Sequence, residues 1–424
     1  MMKQQRGLRV TALIGMTGLF GALGAPAAQC QAVAAAPVPT PVTPSEIDRT
    51  QSQDNARALG MGGSDLIISG DVSDAAANPA SMGGANRYSQ ANTIVGNSSN
   101  IHVDKINDLS KGLKDLGNQF NSGNGSLAGV RGAFQKVYNF ATNAGASDTG
   151  GTPANLSAAV APLTGFSVQN VGLIVYGNLA AKVRLQPTAI SVPGLSGSTG
   201  RLTAAYGVLG LTNIAIPFSF PVKIGTVGIS PRITEASYAG AGFLVDETDT
   251  SNGFDTTVSP TTPNGNISGA TYKEAHQQRF DVDLGYTSIP DPLYHIRGAV
   301  VVHNLLSPTF HLARVVNSSL GTVPVGSDFS FQMKPQVDVG LLAPYNGITY
   351  TAEIHNLNSV NGGKDTIHLG VEYPVNKSFS LRGGFNNNRF VAGLGFAFSG
   401  VRLDVAAGTN PQEQIALSLS FVGR

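Results

Sequence analysis

The feature that most constrains this chain is an alternation of apolar and polar residues that recurs from about residue 166 to the C-terminus. Apolar residues occupy every second position of 367–373, 401–405 and 415–421, and similar runs lie upstream, one of them from Tyr294 to Val302. Each run has about nine residues and ends at Asn, Gly, Pro or Asp, which is typical of membrane β-strands. Strand–turn units of about 20 residues, with a first strand near 86–96, predict about 12–14 strands.

The polar faces of these strands distinguish a membrane barrel from a soluble β-sandwich. A sandwich also alternates, but its apolar face turns inward. Here the polar face carries charges of both signs among many Gly, Ser and Ala residues, as the wall of a narrow lumen does. The sequence therefore predicts an all-β fold, a transmembrane antiparallel β-barrel, with lumen charges at Asp281, Asp283, Arg297, Glu372, Arg382, Arg402 and Asp404. Among these, the two aspartates Asp281 and Asp283 are expected to pair with lumen arginines such as Arg297, Arg382 and Arg402.

Composition agrees with this class and excludes others. Only 12% of the residues are charged, 52 are glycine, and the mean hydropathy is +0.04. The net charge of +1, without blocks of Lys or Arg, argues against nucleic-acid binding. The seven histidines show no metal-ligand spacing, and the Gly- and Ser-rich strings do not complete a phosphate loop or a nucleophile elbow. We therefore expect no catalytic residue, no metal site and no cofactor, and we do not expect an enzyme.

The chain divides into four parts, three of which precede the barrel. Residues 1–34 combine Lys and Arg with a Gly-interrupted apolar stretch and small-residue cleavage sites, which predicts a signal peptide and export to the outer membrane of a Gram-negative-type bacterium. Residues 35–45 form a Pro/Ala-rich spacer, expected to be extended. Residues 46–85 are rich in Gly, Ala and Asp and precede the barrel at 86–424. Within the barrel, 100–145 shows helical spacing and is expected to be an extracellular insert.

The segment before the first strand carries a family resemblance. Residues 55–63 (NARALGMGG) and 78–80 (NPA) resemble the opening of FadL-type and PorV-type outer-membrane barrels. Downstream stretches are similar to one branch, the TraF-type conjugal-transfer proteins: GTVGISPR (225–232), FDVDLG (280–285), VHNL (302–305), KPQVDVG (334–340) and HLGVEYPVNKSFSLRGG (368–384).

The resemblance implies that residues 46–85 fold inside the barrel as a hatch. Its motif residues are Arg57, Gly60, Met61, Gly62, Gly63, Asn78, Pro79 and Ala80. On the residues alone, the Asn-Pro-Ala string is equally consistent with an ordinary Asx turn that caps a helix or strand. In either case Pro79 keeps Asn78 out of the α region, and the glycines permit close approach of the backbone.

Two functions fit this description. The first is a plugged, transporter-like barrel for hydrophobic or small solutes. The second is a structural or interaction component of an envelope conjugation or secretion assembly. A soluble extracellular adhesin is the third alternative. The expected partners are outer-membrane lipid, the barrel-assembly machinery through the C-terminal strand, envelope conjugation or secretion proteins and a hydrophobic ligand, but no nucleic acid.

Overall fold

The computed structural model describes residues 42–47, 49, 55–68, 71–84, 88–99, 136, 153–190, 199–250, 253–260, 271–272, 275–312, 315–318, 321–324, 329–387, 389–409 and 412–423. The predicted signal peptide, most of the spacer and all of the predicted helical insert except Lys136 lie outside these residues.

The described part of the chain is dominated by antiparallel strands. In chain order they are β1 (Tyr88–Ser99), β2 (Ala154–Val168), β3 (Val171–Ile190), β4 (Thr199–Ala215), β5 (Phe218–Val222), β6 (Gly225–Thr250), β7 (Gly253–Pro260), β8 (Thr271–Tyr272), β9 (Ala275–Ser288), β10 (Arg297–His303), β11 (Thr309–Leu312), β12 (Val315–Ser318), β13 (Gly321–Pro324), β14 (Phe329–Gln332), β15 (Gln336–Tyr345), β16 (Ile348–His355), β17 (Thr366–Asn376), β18 (Phe379–Asn386), β19 (Arg389–Phe398), β20 (Val401–Thr409) and β21 (Gln412–Gly423).

Fourteen of these strands close into a barrel. The pairing runs β1, β2, β3, β4, β6, β9, β10, β15, β16, β17, β18, β19, β20, β21, and β21 returns to β1, with Ile94 opposite Leu417. Strand β5 continues β4 beyond a break at Ile216–Pro217, where proline supplies no amide hydrogen for the ladder. The predicted closed barrel of about 12–14 strands is confirmed.

The two faces of the wall have opposite chemistry. On β21, Ile415 and Leu417 are 60% and 47% exposed on the outer surface, whereas Ala416 and Ser418 are 0% and 5% exposed on the inner side. The apolar residues of the alternating runs therefore point outward and form a band that suits a lipid bilayer. The small and polar residues line the interior.

The two ends of the barrel differ in the length of their connections. Two-residue turns such as Asn346–Gly347 join β15 to β16, and both residues have positive φ, as a tight hairpin requires. At the opposite end, long connections such as 304–335 include the small strands β11 to β14. Residues 289–296 form a longer turn at the short-turn end, so the predicted alternating run from Tyr294 is wrong and the strand begins at Arg297. Asp291 fixes this turn by accepting a hydrogen bond from the Tyr294 amide at 2.7 Å.

Short helices occur before β1. They are a 3-10 helix at Pro44–Glu46, α1 (Ala56–Gly60), α2 (Asp74–Ala77) and a second 3-10 helix at Pro79–Gly84. Helix α1 starts at Asn55, whose side-chain oxygen accepts a hydrogen bond from the Ala58 amide at 2.8 Å. None of the described helices is long and apolar enough to cross a bilayer. The expectation of an extended spacer does not hold for its last residues, because Pro44 and Ser45 lie in the first 3-10 helix.

Candidate functional site

Residues 42–84, called here the N-terminal segment, contact inward-facing side chains around the ring. The Ala56 amide donates to Ser418 Oγ on β21 at 2.8 Å, and the Val72 amide donates to Ser89 Oγ on β1 at 3.0 Å. On the other side of the barrel, the Leu66 amide donates to Glu353 on β16 at 3.2 Å. A hydrophobic cluster joins Leu66 and Ile67 to wall residues of β10 and β15. The described parts of the segment therefore lie inside the barrel.

The first described residues of the segment lie near the long-loop end. The Tyr238 hydroxyl donates a hydrogen bond to the Val42 carbonyl, and the Arg49 amide donates to the Asn361 carbonyl in the β16–β17 loop at 3.0 Å. Val42 and Ile47 also pack with Phe310 on β11. The segment therefore extends from the long loops towards the short-turn end, where the chain enters β1.

The Asn78-Pro79-Ala80 string rests on two wall glycines, which we call the glycine platform. Gly228 on β6 and Gly285 on β9 are direct cross-strand partners. A Cβ atom added to Gly228 would lie 2.1 Å from the Ala80 nitrogen, and one added to Gly285 would lie 2.1 Å from Asn78 Oδ1. Only glycine at both positions allows the string to approach the wall this closely. Sequence reasoning missed both, although each lies in a stretch that carries the family resemblance.

The Asn78 side chain holds the string in place. It is fully buried, and its amide nitrogen donates to the Leu66 carbonyl at 2.7 Å and to Thr287 Oγ1 on β9 at 3.1 Å. Its oxygen accepts from the Ala80 amide at 2.9 Å, which completes an Asx turn. The backbone of Asn78 is extended, with φ −139° and ψ 107°, as expected before Pro79. Asn78 thus joins two parts of the segment to each other and to the wall.

The glycine motif after α1 lies against the opposite side of the barrel. Gly62 has φ +80°, and a Cβ atom there would lie 2.2 Å from the Leu369 carbonyl oxygen on β17. Its own carbonyl accepts a hydrogen bond from His368 Nδ1 at 2.7 Å. Gly60 also packs closely on the wall, because a Cβ atom added there would lie 3.0 Å from the Gly393 Cα atom on β19. Met61, between these glycines, is fully buried. Positive φ and close packing both require glycine at position 62.

Arg57 of the segment inserts into a chain of ion pairs on the wall. Its guanidinium binds Glu372 in a bidentate manner, at 2.9 and 3.0 Å. Arg382 contacts the same carboxylate at 2.6 Å and also Asp404 at 2.7 Å, while Arg402 contacts Asp404 at 2.8 Å. Four of the predicted lumen charges therefore form one network with the motif arginine. A bidentate guanidinium–carboxylate pair gives both charge compensation and orientation.

Asp281 and Asp283 pair with an inward-facing arginine, but it is none of the three that the sequence analysis named. Both carboxylates bind Arg232 on β6, at 2.7 and 2.9 Å, and the three side chains are almost completely buried. The reason is the strand register, because Arg232 lies directly opposite Asp281. The Arg297 side chain makes no hydrogen bond or ion pair with any of the described residues.

A cavity of about 290 Å³ lies between the N-terminal segment and the wall, near the short-turn end. It is bordered by Arg57, Met61 and Ile68 of the segment and, among wall residues, by Arg297 and Leu342. Two guanidinium groups and several apolar side chains thus face the same space. This lining suits a small solute with an apolar body and a polar or negative end.

Asp74, at the start of α2, is a buried carboxyl group within the segment. It accepts hydrogen bonds from Asn55 Nδ2 at 2.7 Å and from the Asp71 amide at 3.1 Å. Burial, together with the nearby Asp71 carboxylate, raises the pKa of Asp74 to about 7, and the guanidinium groups of Arg57 and Arg402 oppose this rise. Asp74 therefore changes its charge close to neutral pH.

Comparison with known proteins gives one family and several similar folds. A family model described as "F plasmid transfer operon, TraF, protein" matches residues 75–394. The toluene transporter TbuX of Ralstonia pickettii is 13% identical, with 88% of this chain and 98% of that chain covered, at a TM-score of 0.48. The P. putida toluene transporter TodX is 12% identical, with 88% of this chain and 99% of that chain covered, at a TM-score of 0.42. A Pseudomonas aeruginosa FadL homologue is 13% identical, with 87% of this chain and 98% of that chain covered, at a TM-score of 0.40. No curated protein matches the sequence.

Proposed function

Because the chain belongs to this TraF family, as its sequence motifs predicted, we propose that it is an exported outer-membrane barrel closed by its own N-terminal segment. The segment acts as a hatch, and hydrophobic or small solutes enter the lumen when it yields. The observation that carries this proposal is the set of contacts between residues 42–84 and inward-facing side chains on all sides of the barrel. The cavity beside Arg57 lies between the segment and the wall near the short-turn end, where it can receive a small solute.

The contacts of the hatch suit a closure that opens. They consist of hydrogen bonds, ion pairs and close packing, and residues 42–84 contain no cysteine that would fix them covalently. Strand pairing between β1 and β21 closes the wall independently of these contacts. The wall can therefore stay intact while the hatch moves.

Deletion of residues 46–85 tests the proposal. We expect the deletion variant to insert and to remain heat-modifiable on gels, because the strand pairing and the outer apolar band are unchanged. We also expect a higher conductance in planar bilayers and faster uptake of small solutes than in the wild-type protein. Unchanged conductance in a correctly folded deletion variant would contradict the hatch.

The family itself favours a second candidate function. Its description names a plasmid transfer operon, so the barrel is also proposed as a component of an envelope conjugation assembly. Crosslinking in intact envelopes followed by purification would then recover transfer proteins with the barrel. Loss of that co-purification in the 46–85 deletion, with conductance unchanged, would favour this function over the first.

A further inference from the structure

Three side chains with metal-binding atoms meet where the N-terminal segment contacts strand β16. Asp65 belongs to the segment, and Glu353 and His355 both point inward from β16. Their exposed fractions are 2%, 2% and 4%. One donor atom of each residue lies within 4.8 Å of the donor atoms of the other two. The segment and the wall therefore supply ligands to the same buried point.

The spacing of the donor atoms is close to that of a tetrahedral site. His355 Nε2 is 2.9 Å from Glu353 Oε2 and 3.6 Å from Asp65 Oδ1. Zinc bonds of about 2.0–2.2 Å in a tetrahedron hold neighbouring ligand atoms about 3.4 Å apart. The donor atoms of Asp65 and Glu353 lie within 4.8 Å of each other, so side-chain shifts of up to about 1 Å would bring the three groups around one ion. The other Glu353 oxygen or a water molecule would then be the fourth ligand.

Glu353 provides a second, independent indication of a ligand. Its Oε2 accepts hydrogen bonds from the amides of Asp65 and Leu66, at 3.0 and 3.2 Å, so it has a structural role. Its Oε1 is buried and has no hydrogen-bond partner. A carboxylate oxygen buried without a partner is costly, and a cation held by Oε2 at the spacing above and by Oε1 of the same carboxylate would remove that cost. Two carboxylates and one neutral imidazole would also balance the charge of a divalent ion.

We propose that Asp65, Glu353 and His355 bind a divalent transition-metal ion of the Zn²⁺ type, which fastens the N-terminal segment to the barrel wall. A donor set of one imidazole nitrogen and two carboxylates is typical of such ions. Ca²⁺ and Mg²⁺ fit poorly, since they require about six or more oxygen ligands. No ligand spacing in the sequence indicates this site, because Asp65 lies far along the chain from the other two residues.

The surroundings of His355 support this role. Its ring packs against the His368 ring, with ring centroids 4.2 Å apart and the ring planes tilted by 37°. His368 in turn donates through Nδ1 to the Gly62 carbonyl of the segment and contacts Thr366 through Nε2, which leaves its ring fixed. Metal ligands are commonly oriented by such a second layer of contacts. Loading the site would therefore hold the segment between Gly62 and Asp65 against β16 and β17.

Zn²⁺ titration of the full-length protein tests the proposal. The untagged barrel is purified in detergent, stripped with a chelator and titrated with Zn²⁺ alone against a chromophoric competitor, and bound zinc is counted by elemental analysis. We expect one tightly bound Zn²⁺ per chain. Glu353→Gln is the most informative variant, because its amide oxygen can still accept from the two backbone amides while the unpartnered oxygen is replaced. Asp65→Asn and His355→Gln remove the other ligands.

Each of these three variants should weaken Zn²⁺ binding by at least about tenfold, since even loss of a second-layer contact costs about 10- to 100-fold. The matched controls are Glu235→Gln and His276→Gln, because this Glu–His pair has the same chemistry but is about half exposed, with 3.4 Å between His276 Nδ1 and Glu235 Oε1. Both controls should bind like the wild-type protein. Zinc should also slow hydrogen exchange of residues 60–68 in the wild-type protein but not in Glu353→Gln.

A folded, heat-modifiable wild-type barrel that binds no stoichiometric Zn²⁺ would overturn the proposal and identify the cluster as an imidazolium–carboxylate ion pair. Equal Zn²⁺ affinity in wild-type protein and Glu353→Gln would overturn it by placing the ion elsewhere. Neither outcome depends on solute passage, so the metal site and the proposed channel function can fail separately.

Discussion

Substitution of Gly228 by alanine should displace the Asn-Pro-Ala string while leaving the barrel wall intact. The added Cβ atom would lie 2.1 Å from the Ala80 nitrogen and 2.2 Å from the Pro79 carbonyl carbon. Ordinary van der Waals contact begins at about 3.4 Å, so the string must retreat by more than about 1 Å. All three nearest atoms belong to the N-terminal segment and none to a neighbouring strand, so the wall has little reason to distort.

The free-energy cost follows from the contacts that the retreat strains. Overpacking of a close interface costs about 1–3 kcal/mol. The hydrogen bond from Asn78 to Thr287 is lost or lengthened as well, because it spans the same gap. Since about 1.4 kcal/mol corresponds to tenfold in an equilibrium constant, the attached fraction relative to the detached fraction should fall by about 5- to 150-fold.

Hydrogen exchange of residues 71–84 and planar-bilayer conductance measure this displacement. The control is Gly383→Ala on β18, whose added Cβ atom would meet only a Val371 methyl group at 3.8 Å. We expect faster exchange and higher conductance for Gly228→Ala and wild-type behaviour for Gly383→Ala, with the same heat-modifiability for both. Equal exchange protection in the two variants would refute the glycine platform.

Four further predictions follow from the same contacts. Asn78→Ala should weaken attachment of the segment by about 1–3 kcal/mol, because buried partners lose their hydrogen bonds, and hydrogen exchange will measure this. Arg232→Met should destabilise the whole barrel by about 3–5 kcal/mol in urea titrations, because it leaves two buried carboxylates without their cation, whereas Arg297→Met should have little effect. Because the pKa of Asp74 in the folded protein is raised to about 7, the attached segment binds more protons than the detached one. Attachment should therefore be strongest near pH 4 and weaken as the pH rises through 7. Asp74→Asn should abolish this dependence in hydrogen exchange measured at several pH values. Recovery of the protein should require detergent, and its presence in a soluble periplasmic fraction would contradict a membrane location.

The sequence was sufficient for the barrel because the period of two is a local property. In a run such as 415–421, the apolar residues mark the outer face of the strand and the small or polar residues mark its inner face. The structure agrees, since Ile415 is exposed and Ala416 is buried. The expected length of about nine residues is too short for β6, which has 26 residues, because the alternation is not strict at its far end. Residues 289–296 were misread because Tyr294 and Ile296 continue the apolar spacing into a turn.

The charge pairing could not be predicted, because it depends on the register between strands. A shift of two residues between β6 and β9 would place another side chain opposite Asp281 and leave Arg232 without its partner. The glycine platform could not be predicted either, since glycine is required at position 228 only because the Asn-Pro-Ala string packs against it. The sequence pattern also did not predict that the first described residues lie near the long-loop end, because this position depends on contacts between residues far apart in the chain.

The two ends of the N-terminal segment are held by different contacts, and in the proposed hatch this difference determines where opening would begin. The Arg57 and Glu372 side chains remain 19% and 12% exposed, and Arg57 borders the cavity. Asn78 is fully buried on the glycine platform and does not border it. A polar or anionic solute in the cavity therefore meets Arg57 and competes with Glu372 for its guanidinium, whereas no solute there reaches Asn78. In the proposed hatch, opening that starts at the cavity would have to break the ion pair first, and the platform would then keep the Asn-Pro-Ala end anchored, so that the segment could return.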